Sequence, residues 1–245
     1  MSPSSINSIW SALQASPLLW LTITLVVYII SVKLYQRLRQ NPLVLPVFTS
    51  VCVIVSLLLI TKTDYKTYFS GVQLLHFLVG PATVGLAIPL YHQLPKLVAL
   101  WRPLSISLII GALTGLLSSA LLTVSLGASP ELIISLLPKS TTMPIAMAIS
   151  EHFGGNPSLT AVSVALTGII GSVIALPVFY LLRIDEPAAR GVAMGVSAHA
   201  IGTARLIQVD EGMGAFSALA MSVTGVLTAL FMPFIVQALA ALQWL

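Results

Sequence analysis

Apolar residues fall into eight long runs, at 9–32, 42–61, 71–93, 103–127, 131–153, 157–182, 187–208 and 212–242, joined by short polar connections. Each run is continuous and rich in Leu, Ile, Val and Ala, with no strict alternation of apolar and polar positions. A helix rises about 1.5 Å per residue, so about 20 apolar residues match the hydrocarbon thickness of a bilayer. Lipid offers no hydrogen-bond partner, which leaves helices or closed barrels as the only spanning structures. Barrel strands alternate over about ten residues, and these runs do not. The pattern predicts an all-α polytopic membrane protein with about seven to eight hydrophobic segments, forming one integral membrane domain over 1–245.

The runs are of two kinds. The first, second, fourth, sixth and eighth read as ordinary spanning helices, and small-residue stretches such as Gly111–Gly115 and Gly168–Ser172 suit close helix packing. The third, fifth and seventh are interrupted. The third carries Gly80-Pro81-Ala82-Thr83 and then Pro89; the fifth carries Pro138-Lys139-Ser140-Thr141-Thr142-Met143-Pro144; the seventh carries Gly195 through His199, Gly202, Thr203 and Arg205. Proline removes a backbone donor and clashes with the preceding turn, and glycine frees the backbone. Helix breaks are therefore expected near 80–82, 138–144 and 198–203. Broken backbone at membrane depth is tolerated only where protein buries it or a cavity hydrates it. The third and seventh runs share a plan of helix, break, half-helix and full span, which suggests a possible inverted repeat.

Composition removes other classes. The chain is 57% hydrophobic and 7% charged, against about 25% charged in soluble domains, so its surface faces lipid. The net charge of +4 does not imply nucleic acid, because the basic residues are scattered over short loops. Cys52 stands alone, with no disulfide or metal-binding companion. No Lys or Arg precedes the first run, so it reads as a retained anchor and not a cleaved signal. Lys33, Arg37 and Arg39 put the loop after it in the cytoplasm, with Lys96 and Arg102 on the same side. If the fifth run dips in and returns, Arg183 and Arg190 join them, leaving only Lys62 and Lys66 outside. The charge bias thus favours a re-entrant fifth segment.

Ionisable residues inside a membrane are costly and are functional candidates by default. Lys139 lies between two prolines beside the hydroxyls of Ser140, Thr141 and Thr142. A half-helix starting near Pro144 points its free N–H groups and positive dipole end at this break. Ammonium, hydroxyls and helix terminus together suit a carboxylate; the alternative is that Lys139 snorkels to an interface and the threonines cap a helix. His199 and Arg205 form a second group, brought to one cavity if Gly202 breaks the helix. Arginine pairs bidentately with carboxylates, and histidine binds or carries a proton. The alternative for Arg205 is a pairing with Asp210 or Glu211 at the end of the span. Glu151 and His152 read as a wet helix terminus, Glu131 as a first-turn acid, and Asp185-Glu186 as solvated loop charges. No phosphate loop, H-E-x-x-H or nucleophile elbow is present, so the expectation is a non-enzyme with no cofactor and no metal.

The stretches Leu137–Met147 and Ala189–Gly195, the latter continuing through His199 to Arg205, resemble the signatures of the LrgB/CidB family, and Gly80–Thr83 through Pro89-Leu90-Tyr91 also fits. The resemblance covers about residues 15–240. It implies a multi-pass protein of the bacterial plasma membrane, acting with a small LrgA/CidA-type membrane partner, as a homo-oligomer. It also implies one of two functions: transport of a small monocarboxylate such as pyruvate, glycolate or glycerate, or a holin/antiholin-like role in murein hydrolase export and lysis. Three broken helices are expected of a transporter and unexplained in a lesion former. The sequence therefore points to carboxylate transport, with Lys139, Ser140, Thr141, Thr142, His199, Gly202, Thr203 and Arg205 as candidate binding residues and Gly80, Pro81, Pro138 and Pro144 as helix breaks.

Overall fold

A computed structural model describes residues 16–38, 44–85 and 87–244, and every regular element in it is helical. The start of the first apolar run, at 9–15, and Arg39 lie outside the described residues. The chain divides into two compact units, Met1–Gly85 and Leu86–Leu245.

In the first unit, α1 (Pro17–Arg37), α2 (Pro46–Thr61), α3 (Tyr65–Gly71) and α4 (Gln73–Gly85) follow in order. Leu18–Arg37 is long and apolar enough to cross a membrane; the 16 residues of α2 form a shorter apolar helix. Trp20 of α1 is buried edge-on against the Tyr68 ring of α3, 5.8 Å between centroids, and Thr24 and Tyr68 share a hydrogen bond of 3.2 Å. Asp64 starts α3 by accepting from the Lys66 N–H.

The second unit is built on three spanning-length apolar helices, α7 (Trp101–Ser125), α10 (Pro157–Leu181) and α12 (Glu211–Ala241), with the short α5 (Ala87–His92) and α6 (Leu94–Ala99) before them. Between the long helices lie two helical hairpins. The first is α8 (Pro130–Leu136) and α9 (Met143–His152), joined by the non-helical Leu137–Thr142. Its two open ends meet. Asn156, just past α9, donates from its side chain to Glu131 at the start of α8, and its backbone N–H donates to Ser135 Oγ at 2.7 Å. Thr160 donates to the Ser135 carbonyl and lies 2.8 Å from Ser150 Oγ, tying both limbs to α10.

The second hairpin is α11 (Pro187–Ile207), broken at His199, where φ is 39° and ψ is −131°. Gly191 packs on Met213 and Phe216, and Gly195 on Ser217, Ala220 and Met221, so the first limb runs parallel to α12. Thr203 meets Ser217, and Ile207 meets Gly214, so the second limb runs antiparallel to α12. Gly202 accordingly lies back against Met194 and Ala198, residues that a straight helix holds one and two turns away.

Two core clusters show that the hairpins fill opposite halves. One joins Leu104 and Leu108 of α7, Ala188 and Val192 of α11, and Phe216 and Ala220 of α12. The other joins Leu116 and Ala120 of α7, Ile133, Ile134 and Leu137 of the first hairpin, and Met232 and Leu239 of α12. The first hairpin is therefore entered where α7 ends and α10 begins, and the second where α10 ends and α12 begins. Each hairpin is followed by a long helix, and α10 and α12 run in opposite senses. This is the plan of an inverted repeat. It pairs the fifth run with the seventh, not the third with the seventh. In the second unit, Lys96, Arg102, Arg183 and Arg190 all sit at the end where the second hairpin opens, the end that the positive-inside rule expects to face the cytoplasm.

Two expected breaks hold and one does not. The fifth run breaks at 137–142 and the seventh at His199. The third does not break at Gly80-Pro81: α4 continues through Pro81 to Gly85. A single proline removes one donor and bends a helix without ending it when neighbours absorb the change. Nor is Gly202 the breaking residue of the seventh run. Its lack of a side chain lets the second limb lie on the first.

The hairpin seam yields a stability prediction. A methyl group at Gly195 presses on the Ser217 carbonyl and on Ala220 Cβ, while one at Gly85 meets open space. Gly195→Ala is expected to cost about 1–3 kcal/mol as overpacking, and Gly85→Ala much less. Thermal melting of both variants in detergent, followed by fluorescence-detected gel filtration, checks this; equal melting temperatures would contradict the seam.

Candidate functional site

The tip of the first hairpin is held between two glycines. At Gly115 of α7, an added Cβ falls 3.3 Å from Ser140 Oγ, and at Gly225 of α12 it falls 3.1 Å from Thr141 Oγ1. The Lys139 ammonium reaches the Gly115 carbonyl at 3.4 Å. Gly115 is ten residues from the end of α7, about 15 Å in helical rise, so the tip lies near mid-membrane depth. The tip is tightened by backbone bonds from Lys139 N to Leu136 O and from Thr141 N to Pro138 O. Thr142 occupies the N-cap position of α9, but its side chain makes no capping bond, and Pro144 lies in the first turn. The positive end of α9 thus faces the tip.

The tip of the second hairpin is the buried His199. Its Nε2 lies 3.0 Å from the Val164 carbonyl of α10. A carbonyl only accepts, so Nε2 carries the proton, and the buried Nδ1 has no partner. The imidazole fits because Gly168 leaves room: a Cβ there falls 2.7 Å from Cε1. Thr203 donates to the His199 carbonyl at 2.8 Å and lies 2.7 Å from Ser217 Oγ, fixing the limb after the break. Arg205 is buried and donates from Nη1 to the Ser172 carbonyl of α10. It does not pair with Asp210 or Glu211; Asp210 instead caps α12 by accepting from Met213 N at 2.7 Å. Among the described residues the ion pair is Arg190 with Asp185, at the mouth of the second hairpin.

The tips converge in depth. Gly195 packs at Ser217–Met221, and one turn further along the parallel limb His199 reaches the level of Thr224–Gly225. Thr141, from the other hairpin, packs on Gly225 itself. At this level three buried polar atoms have no hydrogen-bond partner among the described residues: Thr141 Oγ1, Thr224 Oγ1 and His199 Nδ1; a fourth, Ser172 Oγ, belongs to the residue whose carbonyl Arg205 holds. Buried polar groups are nearly always satisfied, and each orphan costs about 1–3 kcal/mol. Unpartnered polar groups at the depth of two helix breaks mark a candidate polar site inside an apolar bundle.

The structure brings Lys139, Ser140 and Thr141 together on one tip and puts His199 at the other, with Gly202, Thr203 and then Arg205 on the limb that runs back from it. The two cations are anchored to different helices, Lys139 to α7 and Arg205 to α10. Thr224 and Ser172 did not stand out in the sequence. Each is one hydroxyl in a spanning helix, where such groups usually bond the preceding turn, as Thr114 and Ser222 do here. Only the missing partner marks them. Glu151 and His152 are exposed, as a helix terminus should be. Among the described residues no group of three or more His, Cys, Asp or Glu residues is placed to hold a metal.

Comparison with known proteins places this arrangement. No solved structure matches. An uncharacterized Bacillus subtilis protein, YwbG, is 37% identical over 217 residues, covering 89% of this chain and 96% of the relative. An uncharacterized Haemophilus influenzae protein is 34% identical, covering 76% of this chain and 80% of the relative. A Bacillus cereus protein named antiholin-like protein LrgB is 30% identical over 226 residues, covering 90% and 97%. The model of the LrgB-like family matches residues 24–238, which include both hairpins, α7, α10 and all but the last three residues of α12. This multi-pass bacterial membrane protein belongs to the LrgB-like family.

Proposed function

We propose that the protein carries a small monocarboxylate, such as pyruvate, glycolate or glycerate, across the membrane through the polar zone between the hairpin tips. The observation that supports this is the pair of oppositely entered hairpins whose tips reach one depth and leave a lysine and unpartnered hydroxyl and imidazole groups there. Lys139 supplies the charge that attracts a carboxylate. Ser140, Thr141 and Thr142 supply hydroxyl donors, and the α9 N-terminus adds its dipole. His199 Nδ1 accepts a hydrogen bond when neutral and donates one when protonated. Gly202 and Thr203 hold the second tip, and Arg205 adds a second cation. The reading is of a carrier and not an enzyme. It includes a small LrgA/CidA-type membrane partner and a homo-oligomeric state, both implied by the family resemblance.

A second reading is favoured by a relative's name. A relative called antiholin-like suggests control of membrane permeability in lysis. That role calls for helices that assemble, and it has no use for a cation and orphan hydroxyls at mid-depth. Uptake of labelled pyruvate, glycolate and lactate into proteoliposomes, with and without the small partner, separates the two. Saturable uptake supports carriage. Leakage of solutes regardless of charge supports the antiholin-like role.

Two predictions follow from the tip geometry. Lys139→Met keeps length and removes charge; a charged hydrogen bond is worth about 1.5–3 kcal/mol, so uptake at subsaturating pyruvate should fall roughly ten- to a hundredfold with normal membrane insertion. Unchanged uptake would leave Lys139 outside the site. Thr141→Val and Thr224→Val remove hydroxyls that bond nothing in the protein. Each should hold or raise the melting temperature, since an orphan is lost, while lowering uptake by roughly two- to tenfold. Loss of stability with full uptake would show that the hydroxyls are structural.

A further inference from the structure

Arg205 is 7% exposed, lies at membrane depth and has no carboxylate partner among the described residues. Among the described residues its hydrogen bond is one donation to the Ser172 carbonyl, whereas a guanidinium carries five N–H donors. At the same spot Ser172 Oγ, 0% exposed, has no hydrogen-bond partner. A buried cation with spare donors and an unused hydroxyl beside it are two separate signs of a place for an anion. Buried charges in membranes ordinarily pair with an acid or with several carbonyls.

This place differs from the tip of the first hairpin. Arg205 lies six residues past the His199 break, on a limb that runs back towards the cytoplasmic end, so it sits roughly 9 Å from the tip level in helical rise. Lys139 is held from the other half of the unit, at Gly115 of α7, while Ser172 belongs to the half of α10 nearer its cytoplasmic end. Each half of the inverted repeat thus contributes one cation, and each has an unpartnered hydroxyl on its own segment or contact: Thr141 two residues from Lys139, and Ser172, whose carbonyl Arg205 holds.

We propose that Arg205 and Ser172 form a second carboxylate station, distinct from the one at Lys139 and nearer the cytoplasmic end, so that the anion is passed from one hairpin to the other. The proposal rests on the transport reading. The planar fork of Arg205 takes the two carboxylate oxygens, and the Ser172 hydroxyl donates to one of them. Two stations lower the step between them, because the anion never sits in apolar surroundings without a cation in reach.

Equilibrium binding and uptake of labelled pyruvate by the purified full-length protein test this. The variants are Lys139→Met, Arg205→Met, Arg205→Lys and the Lys139→Met/Arg205→Met double, each checked for folding by gel filtration. With two stations, either single Met variant keeps saturable pyruvate binding within about tenfold of wild type and loses at least about tenfold in uptake. The double variant binds none. Arg205→Lys keeps charge without the fork and falls between Arg205→Met and wild type in uptake. If either single Met variant abolishes binding as completely as the double, the cations share one site and the proposal fails while transport stands. If Arg205→Met transports like wild type, Arg205 is structural and the proposal fails. If wild type neither binds nor takes up pyruvate, carriage of this substrate fails first.

Discussion

Every peptide N–H and C=O at membrane depth must find its partner within the protein, because lipid supplies none. A broken helix in that setting survives only if other elements wrap the break. Here both breaks are wrapped in the same way. Glycines on the long helices remove side chains where a hairpin tip has to enter: Gly115 and Gly225 around Lys139–Thr141, and Gly168 and Gly171 around Ala198 and His199. The small residues of α7, α10 and α12 are thus the counterpart of the prolines and strained backbone in the hairpins. Neither set makes sense without the other.

This constraint explains how so apolar a protein keeps a polar interior. The hairpin limbs are anchored by hydroxyls, as in the bonds among Ser135, Ser150 and Thr160 at the base of the first and between Thr203 and Ser217 in the second. At the anchors the hydroxyls are satisfied. Among the described residues, the buried hydroxyls that lack partners are at the tip level, Thr141 and Thr224, and at Ser172, which Arg205 holds. Stability is concentrated at the bases and given up at the centre, which is the expected distribution when the centre serves a ligand.

Much of this was legible in the residues. Pro138 and Pro144 bracket Lys139 and announce a break that the structure has, and the basic loops favoured a re-entrant fifth segment, which the bond between Asn156 and Glu131 bears out in hairpin form. Gly80-Pro81 misled, because one proline bends a helix that its neighbours carry onward to Gly85. In the seventh run the small residues point to Gly202, while the chain turns at His199, whose φ of 39° with ψ of −131° lies outside the regions open to residues with a side chain. The sequence suggests a repeat between the third and seventh runs, because both contain glycine breaks. The true pairing, fifth with seventh, rests on which limb lies parallel to α12, and no local pattern encodes that. Thr224 and Ser172 were invisible for the same reason: an orphan is defined by what surrounds it.

The account stands on two hairpins entering from opposite faces. Single cysteines at Glu131, His152, Glu186 and Gln208, on a Cys52→Ser background, labelled with a membrane-impermeant maleimide from each side of the membrane, test that most directly. The account predicts that Glu131 and His152 label together from the outer face, and that Glu186 and Gln208 label together from the cytoplasmic face. Labelling of Glu131 and His152 from opposite faces would make the first hairpin a crossing segment and contradict the inverted arrangement on which the site depends.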